Sequence, residues 1–433
     1  MDEWAQPTFL EAPIEIIDGD RGVNYPKQAE FAPSGHCLFL NAGNVSSTGF
    51  KFSECSFISE ERDNLLRKGK LKRYDSVLTT RGTVGNVAFY DDSIPFDHVR
   101  INSGMVIFRP DQPTIVPRYL YLFLRSRLFR NQVSALTTGS AQPQLPIRDI
   151  HRIHIPLPSI SEQHNIAETL GSLDDKIELN RRMNETLEAM ARAIFKDWFV
   201  DFGPTRAKAE GREPYLAPDI WGLFPDALDD DDKPVGWELG CLADVAESPR
   251  RGISPTDVSE ETPYIGLEHM PRRSIALTEW EGAGKVTSNK SVFKRGEFLF
   301  GKLRPYFHKV GVAPLSGICS TDIVVLTPRT ADWSVFVLAC ISTDEFIAYT
   351  NQASTGTKMP RTSWKAMGQY GLCLPPELVI CAFQNTVQPM IDRIIANIHE
   401  SRTLVQTRDL LLPKLMSGKI RLREAEDAVE AVA

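Results

Sequence analysis

The chain reads as an α+β protein built twice over: two similar mixed α/β globular domains, each followed by one long helix, with the two helices zipped into a coiled coil. An internal repeat, a heptad seam in each half, and short β-like runs ahead of each seam predict this. The repeat sets Thr138-Gly139-Ser140-Ala141-Gln142-Pro143 against Thr355-Gly356-Thr357-Lys358-Met359-Pro360. At the same offset, Ile153-His154-Ile155 running into Pro156-Leu157-Pro158 is answered by Tyr370-Gly371-Leu372 running into Cys373-Leu374-Pro375. Self-similarity at a fixed offset marks a duplicated architecture.

Each copy then opens a long helix. The first is expected to begin near Ser161, an acceptable N-cap with Glu162 in the first turn, and to run to about Phe199 before Gly203-Pro204 stops it. Its seam follows Ile166, Leu170, Leu173, Ile177, Asn180, Asn184, Leu187, Ala191, Ile194 and Trp198 at alternating steps of four and three, the spacing that winds one stripe along a coiled-coil helix. The second seam runs Val387, Ile391, Ile394, Ile398, Ser401 and Val405, then Leu412 and Leu415 less cleanly. Pro389 suits a first turn, whereas Pro413 should kink or end the helix. About 39 residues at roughly 1.5 Å each make a rod of roughly 58 Å. Such a seam needs a partner, and the nearest is its own repeat. Asn180, Asn184 and Ser401 in mid-seam either fix register at a cost in stability, face another subunit, or face water.

Upstream of each helix, runs such as Val77-Leu78-Thr79-Thr80, Met105-Val106-Ile107-Phe108, Phe298-Leu299-Phe300 and Ile323-Val324-Val325-Leu326 stand between Gly, Pro and Asn, as strands do. The expected boundaries are a first globular domain over 1–158, a long helix over 159–202, a linker over 203–233, a second globular domain over 234–376, a second long helix over 377–423 and an acidic tail over 424–433. The linker is expected because 203–233 is rich in Pro, Gly and Asp and ends in Asp229-Asp230-Asp231-Asp232.

With 433 residues, 42% hydrophobic and 24% charged, the chain has the composition of a multidomain globular protein. No apolar run is long enough for a membrane span, and Met1-Asp2-Glu3-Trp4 is acidic where a signal peptide would be basic, so a cytoplasmic protein with no membrane partner is expected. Seven cysteines, odd in number and nowhere in a metal-ligand spacing, are expected to be reduced thiols. The net charge of -7 argues against indiscriminate nucleic-acid coating, yet base concentrates in Arg62 to Arg73 and in Lys285 to Lys309, one zone per half.

The order globular, helix, globular, helix resembles the specificity subunits of type I restriction-modification systems. The wording that carries the resemblance is Ile17-Asp18-Gly19-Asp20-Arg21-Gly22 with Asn24-Tyr25-Pro26; Phe39-Leu40-Asn41-Ala42-Gly43-Asn44-Val45; Pro156-Leu157-Pro158 with Glu162-Gln163; Pro234-Val235-Gly236-Trp237; and Leu411-Leu412-Pro413-Lys414-Leu415-Met416-Ser417-Gly418. The resemblance implies two target-recognition domains, each reading one half of a bipartite site in double-stranded DNA, joined by an antiparallel helix pair that docks two modification (methyltransferase) subunits. Restriction and motor subunits would join through that complex. S-adenosylmethionine, ATP and Mg would then sit on the partners and no cofactor on this chain. Arg408 at a seam position and Pro413 depart from a strict repeat.

Catalytic wording is missing. The only Pro-Pro, Leu374-Pro375-Pro376-Glu377, lacks the acid or amide an adenine methyltransferase places before it, and Gly282-Ala283-Gly284-Lys285-Val286 lacks the spacing and hydroxyl of a P-loop. Asp219 with Asp231-Asp232-Lys233 has the residue types of a magnesium-dependent nuclease. These residues fall in the acidic linker, where solvation is the plainer role. His151 and His154 are expected at the surface. A self-contained DNA-modifying enzyme and a coiled-coil scaffold are the rival classes.

If the chain reads DNA, Lys and Arg should neutralise phosphates while forked or amide side chains read base edges. Candidates in the first half are Arg21, Asn24, Tyr25, Lys27, Arg67, Lys68, Lys70, Lys72, Arg73, Arg81, Asn86, Asn102, Gln142 and Gln144. Those in the second are Arg250, Arg251, Lys302, Arg304, Tyr306, Lys358 and Arg361. For any one of these, a solvated surface role fits equally. The repeated Thr-Gly segment either brings backbone close to DNA or serves turn geometry only. Two readers on one rod would engage half-sites about one helical turn apart, about 10 bp, so removing one heptad between Leu173 and Asn180 should alter the gap and spare both half-site sequences.

Overall fold

The computed structural model describes residues 4–416 apart from 47–48, 53, 139–142 and 357–358, together with positions 420, 424, 425 and 429. The chain divides into two compact units, Met1–Lys176 with Thr403–Ala433, and Ile177–Arg402. The division runs through the middle of both long helices, whereas the boundaries expected from sequence set each helix apart as its own segment.

The first unit holds β1 (Ile14–Asp18), β2 (Cys37–Leu40), β3 (Phe57–Ile58), β4 (Ser76–Thr79), β5 (Val87–Phe89), β6 (Val99–Ile101) and β7 (Met105–Pro110), followed by helix α1 (Pro117–Arg125). One antiparallel sheet has the order β1-β7-β4-β5, with Val77 opposite Ile107 and Ala88. A smaller sheet has the order β3-β2-β6, in which β2 and β6 are parallel. The strands β4 and β7 are buried on both faces, which explains why Val77-Leu78 and Met105 to Phe108 read as continuous apolar runs. Phe9, Phe108, Phe123 and Phe129 pack ring against ring behind the larger sheet.

The second unit repeats the larger sheet with β8 (Ala246–Glu247), β9 (Phe298–Gly301), β10 (Val310–Val312) and β11 (Ile323–Pro328) in the antiparallel order β8-β11-β9-β10. Helix α3 (Ser334–Ile341) follows, as α1 does in the first unit. A five-stranded sheet containing Lys290–Phe293, Gly317–Cys319 and Pro263–Ile265 replaces the small three-stranded one.

The two long helices are α2 (Ile160–Phe199) and α4 (Glu377–Met416), of 40 residues each. The cap of α2 is Ser159, earlier than expected: its Oγ accepts from the Glu162 N–H while the Glu162 carboxylate accepts from the Ser159 N–H at 3.0 Å. Pro389 is not in a first turn, because α4 opens at Glu377. The carbonyl that loses its donor belongs to Asn385, an exposed residue. Pro413 does not end the helix, which runs on to Met416.

The stretch 203–233 is folded, which corrects the linker expectation. It carries short helices at Gly203–Ala209 and Pro218–Trp221 and buries Ala207 and Phe224, the latter edge-on to Trp198 at 5.2 Å. Composition there recorded exposed turns and missed these two anchors. Among the described residues, no helix is long and apolar enough to cross a membrane. All seven cysteines are free, and burial pushes the Cys37 and Cys319 thiols up to about 12.

Candidate nucleic-acid interface

In the first unit, the end of β4 is where the candidate residues meet. Thr80 donates its N–H to the Gly104 carbonyl at 2.8 Å and accepts from the Leu145 N–H at 3.0 Å. The β4–β5 turn, the β6–β7 turn and the repeated Thr-Gly segment are thereby tied together. That segment is closed on itself by reciprocal bonds between Thr138 and Gln144, and Gln144 also pairs with Arg81. Arg81 and Gln144 are exposed. Asn102 Oδ1 accepts from the Gly104 N–H at 2.9 Å, Arg21 reaches the Ser103 carbonyl at 3.3 Å, and Ser103 hydrogen-bonds Tyr25, whose phenol is pushed up by burial. A Cβ on Gly19 would lie 2.1 Å from the Asn102 carbonyl oxygen, so only glycine lets these two turns close on each other. Arg67 and Lys68 donate backbone N–H groups to Asp20 beside this end.

The second unit repeats the construction bond for bond. Lys302 donates its N–H to the Asp322 carbonyl at 2.9 Å and accepts from the Thr362 N–H at 3.0 Å, and Thr355 and Arg361 exchange reciprocal bonds at 3.0 Å. Leu303 pairs with Arg361 as Arg81 pairs with Gln144. Lys302, Arg304, Tyr306 and Arg361 are therefore neighbours. Two cations absent from the sequence-derived candidates join them: Arg272 lies over the Phe307 ring at 4.0 Å, and Arg273 donates its N–H to the His308 carbonyl at 2.9 Å. Both are exposed. Nothing local in Arg272-Arg273 marks this, because tertiary folding alone brings that segment to the β9–β10 turn. Burial holds the His308 imidazole below its ordinary range, so it is a neutral structural group at pH 7.

Several candidates lie elsewhere. Arg73 spends its guanidinium on the Asp91 and Ile94 carbonyls and on Asp97, while the Lys72 N–H binds Asp75, at the end of β4 opposite Arg81. Arg251 pairs with Glu297, likewise ahead of β9 and away from Lys302, with Arg250 exposed beside it. Lys70 is bound to Asp63 and Asn24 reaches the Leu65 carbonyl, whereas Asn86 does sit at the end of β4, its carbonyl accepting from the Thr79 N–H, with its side-chain amide spent on the Val45 carbonyl. Lys27 is exposed before a short 3-10 turn. Gln142 and Lys358 fall outside the described residues.

The seam has a different chemistry in each unit. In the second, Asn180 Nδ2 donates to Glu400 and Ser401, and Asn397 Nδ2 donates to Asn184 Oδ1 at 2.8 Å, which makes the pairing antiparallel. Asn397 is the repeat partner of Asn180 and was missed, because neighbouring Ile398 better fits an apolar stripe. Ile391, Ile394 and Ile398 are buried; Ile177, Leu187 and Ile194 are partly so. In the first unit Ile166, Leu170 and Leu173 are buried, and the stripe on α4 continues through Leu404, Arg408, Leu411 and Leu415. Leu404 therefore replaces Val405, which is only partly buried: after the polar Ser401 the next inward position comes three residues on, where the expectation took four.

Of the residues that suggested a nuclease, Lys233 pairs with Asp229 and Asp232 with Arg206 at 2.5 Å. His36, Asp63 and His98 do converge, with the two imidazoles stacked at 4.2 Å. Both oxygens of Asp63 are already taken by Arg100 and Lys70, two cations that oppose a metal ion there.

Comparison with known proteins bears on this arrangement. Residues 15–189 match the family model described as type I restriction modification DNA specificity domain. The type I restriction enzyme MjaIX specificity subunit of Methanocaldococcus jannaschii is 25% identical over 89% of this chain and 84% of its own. The HindI specificity subunit of Haemophilus influenzae is 24% identical over 93% of this chain and 98% of its own. In three dimensions, the S subunit of a type I restriction-modification system from M. genitalium superposes with a TM-score of 0.55 at 15% identity, covering 96% of each chain. With both units, both long helices and the duplicated strand-end cluster in place, the chain is similar over most of its length to type I restriction-modification specificity subunits, and residues 15–189 match the model of their DNA specificity domain.

Proposed function

We propose that each unit reads one half of a bipartite target in double-stranded DNA through the cluster at the end of its central strand, β4 in the first and β9 in the second. The observation that carries this is the duplication itself: the same three-way tie of turns recurs with different side chains on it, Arg81 and Gln144 against Arg304, Tyr306 and Arg361. A constant scaffold with variable loop residues suits two different base sequences. Lys and Arg at the rim supply salt-sensitive attraction to phosphates, and the forked and amide side chains supply the choice of bases.

The chain carries no chemistry of its own in this reading. It docks two methyltransferase subunits on its long helices, and restriction subunits are recruited through them in the cytoplasm. Those partners hold S-adenosylmethionine, ATP and Mg. The test is a methylation map of DNA treated with the methyltransferase subunits, with and without the full chain. The expected result is methylation at one bipartite sequence only when the chain is present. Methylation that is independent of the chain, or that ignores sequence in its presence, overturns the proposal.

A further inference from the structure

The turn that closes each central strand needs two residues at positive φ, and the units meet that need differently. Between β4 and β5 they are Gly82 at 76° and Gly85 at 98°, where the left-handed region is free of penalty. Between β9 and β10 the corresponding stations are Arg304 at 52° and His308 at 51°, and Arg273, bonded to His308, is at 58°. An L side chain pays for this conformation, and such strain persists only where the surroundings impose it. Here they do: Arg304 donates its N–H to the Pro360 carbonyl at 2.7 Å, and His308 donates its own to the Pro305 carbonyl at 2.8 Å. The His308 ring is buried with Nε2 3.0 Å from the Ser342 carbonyl, so its side chain is retained for the fold.

Arg304 has no such excuse. At the same end of the unit Arg273 is paired with Asp344 at 3.0 Å and Arg361 with Asp322 at 3.3 Å. Arg304 has no carboxylate partner among the described residues, and its buried Nε has no hydrogen-bond acceptor there. Its guanidinium is 5.8 Å from the Phe307 ring, and Phe307 stands edge-on to Tyr306, half exposed at the turn's tip. A strained backbone thus holds an unspent guanidinium fork beside the Phe307 ring, against which the exposed Tyr306 stands. Guanine offers such a fork two acceptors, O6 and N7, in the major groove.

We propose that Arg304 is a specificity-determining residue of the second unit, reading a guanine in that unit's half of the DNA target, with Tyr306 packing against the adjoining base. This rests on the reading of the strand-end cluster as the DNA interface. The test assembles the full chain with its methyltransferase subunits, offers DNA randomised across the target, and sequences the methylated molecules. Arg304→Gly removes the fork and the strain together. It is expected to leave the melting temperature unchanged or higher while preference for guanine falls about ten- to a hundredfold at one position in one half-site, the other half staying as it was. Arg304→Lys keeps the charge and is expected to lose the same preference with little change in salt dependence.

Base preferences untouched by both substitutions, with only affinity and salt slope reduced, would make Arg304 a phosphate contact and overturn the assignment. A lower melting temperature for Arg304→Gly would overturn the strain argument beneath it. A wild-type assembly that selects no sequence would remove the interface reading and this assignment together, whereas selection that survives both substitutions removes the assignment alone.

Discussion

Within the second unit the paired helices meet through an aromatic cluster. Phe195, Trp198 and Phe199 of α2 close on Phe383 of α4, with ring centroids 4.9 to 6.1 Å apart. Within the first unit the repeat equivalents of those rings, Ile166, Leu412, Leu415 and Met416, are buried and aliphatic, and charge enters at the positions that answer Ile391 and Ala191: Asp174 is shared between Arg125 at 3.0 Å and Arg408 at 2.6 Å, all three largely buried. A duplicated chain therefore preserves the positions that face inward while leaving their chemistry free. Where rings fill the space, burial holds the helices. Where it is filled by an ion triad, each charge depends on the others remaining.

Phe383→Ala should break the comparison most. Phe383 is fully buried among three rings, so its truncation should cost about 3–5 kcal/mol, read as a lower denaturation midpoint with protection lost first in the second unit. Loss confined to the first unit would contradict the packing described.

Asp174→Ala should come next, at about 3 kcal/mol, because it strands two buried guanidinium groups. Replacing Asp174, Arg125 and Arg408 together by apolar residues should recover most of that loss. If the triple variant is no better than the single one, the triad contributes more than its desolvation costs.

Gln163 and Gln384 sharpen the comparison. Gln163 is buried and accepts from the Val116 N–H at the start of α1 while donating to two carbonyls. Gln384 accepts from the Val335 N–H at the start of α3 and, among the described residues, otherwise hydrogen-bonds only Gln388. Alanine should cost about 2 kcal/mol at Gln163 and about 1 kcal/mol at Gln384. Equal losses would mean that the single shared bond accounts for both.

The smallest effect should be a pH dependence in the second unit. Burial raises the Glu188 carboxyl above its ordinary range, although Ser274 Oγ donates to it at 2.7 Å. Its protonated form is favoured by folding, so stability is greatest below the ordinary carboxylate range and declines as pH rises through the raised value. Glu188→Gln should raise the melting temperature modestly at pH 7 and hardly at pH 4. A loss of the same size at both pH values would show that its hydrogen bonds matter more than its charge.

How much of this was legible beforehand varies by element. The duplicated Thr-Gly segment was visible because it recurs at a fixed offset, whereas the pairing of its ends, Thr138 with Gln144 and Thr355 with Arg361, and its place at the end of the central strand came only from the fold. The heptads located α2 and α4 because inward positions recur at a fixed period along one helix. Arg272 and Arg273 could not be found that way, nor could the spending of Arg73 and Arg251 on internal acceptors. Charge composition does not distinguish a cation facing solvent from one folded back onto its own chain.

The amino-acid order by itself determined the duplication, the long helices and the apolar strands, since each rests on a spacing that local geometry turns directly into structure. Tertiary structure decided which cations share one end of a sheet, which seam position follows Ser401, and which turn holds Arg304 in a strained conformation. Those outcomes depend on distant segments arriving at one place, and the energy that selects among them belongs to the contacts made there.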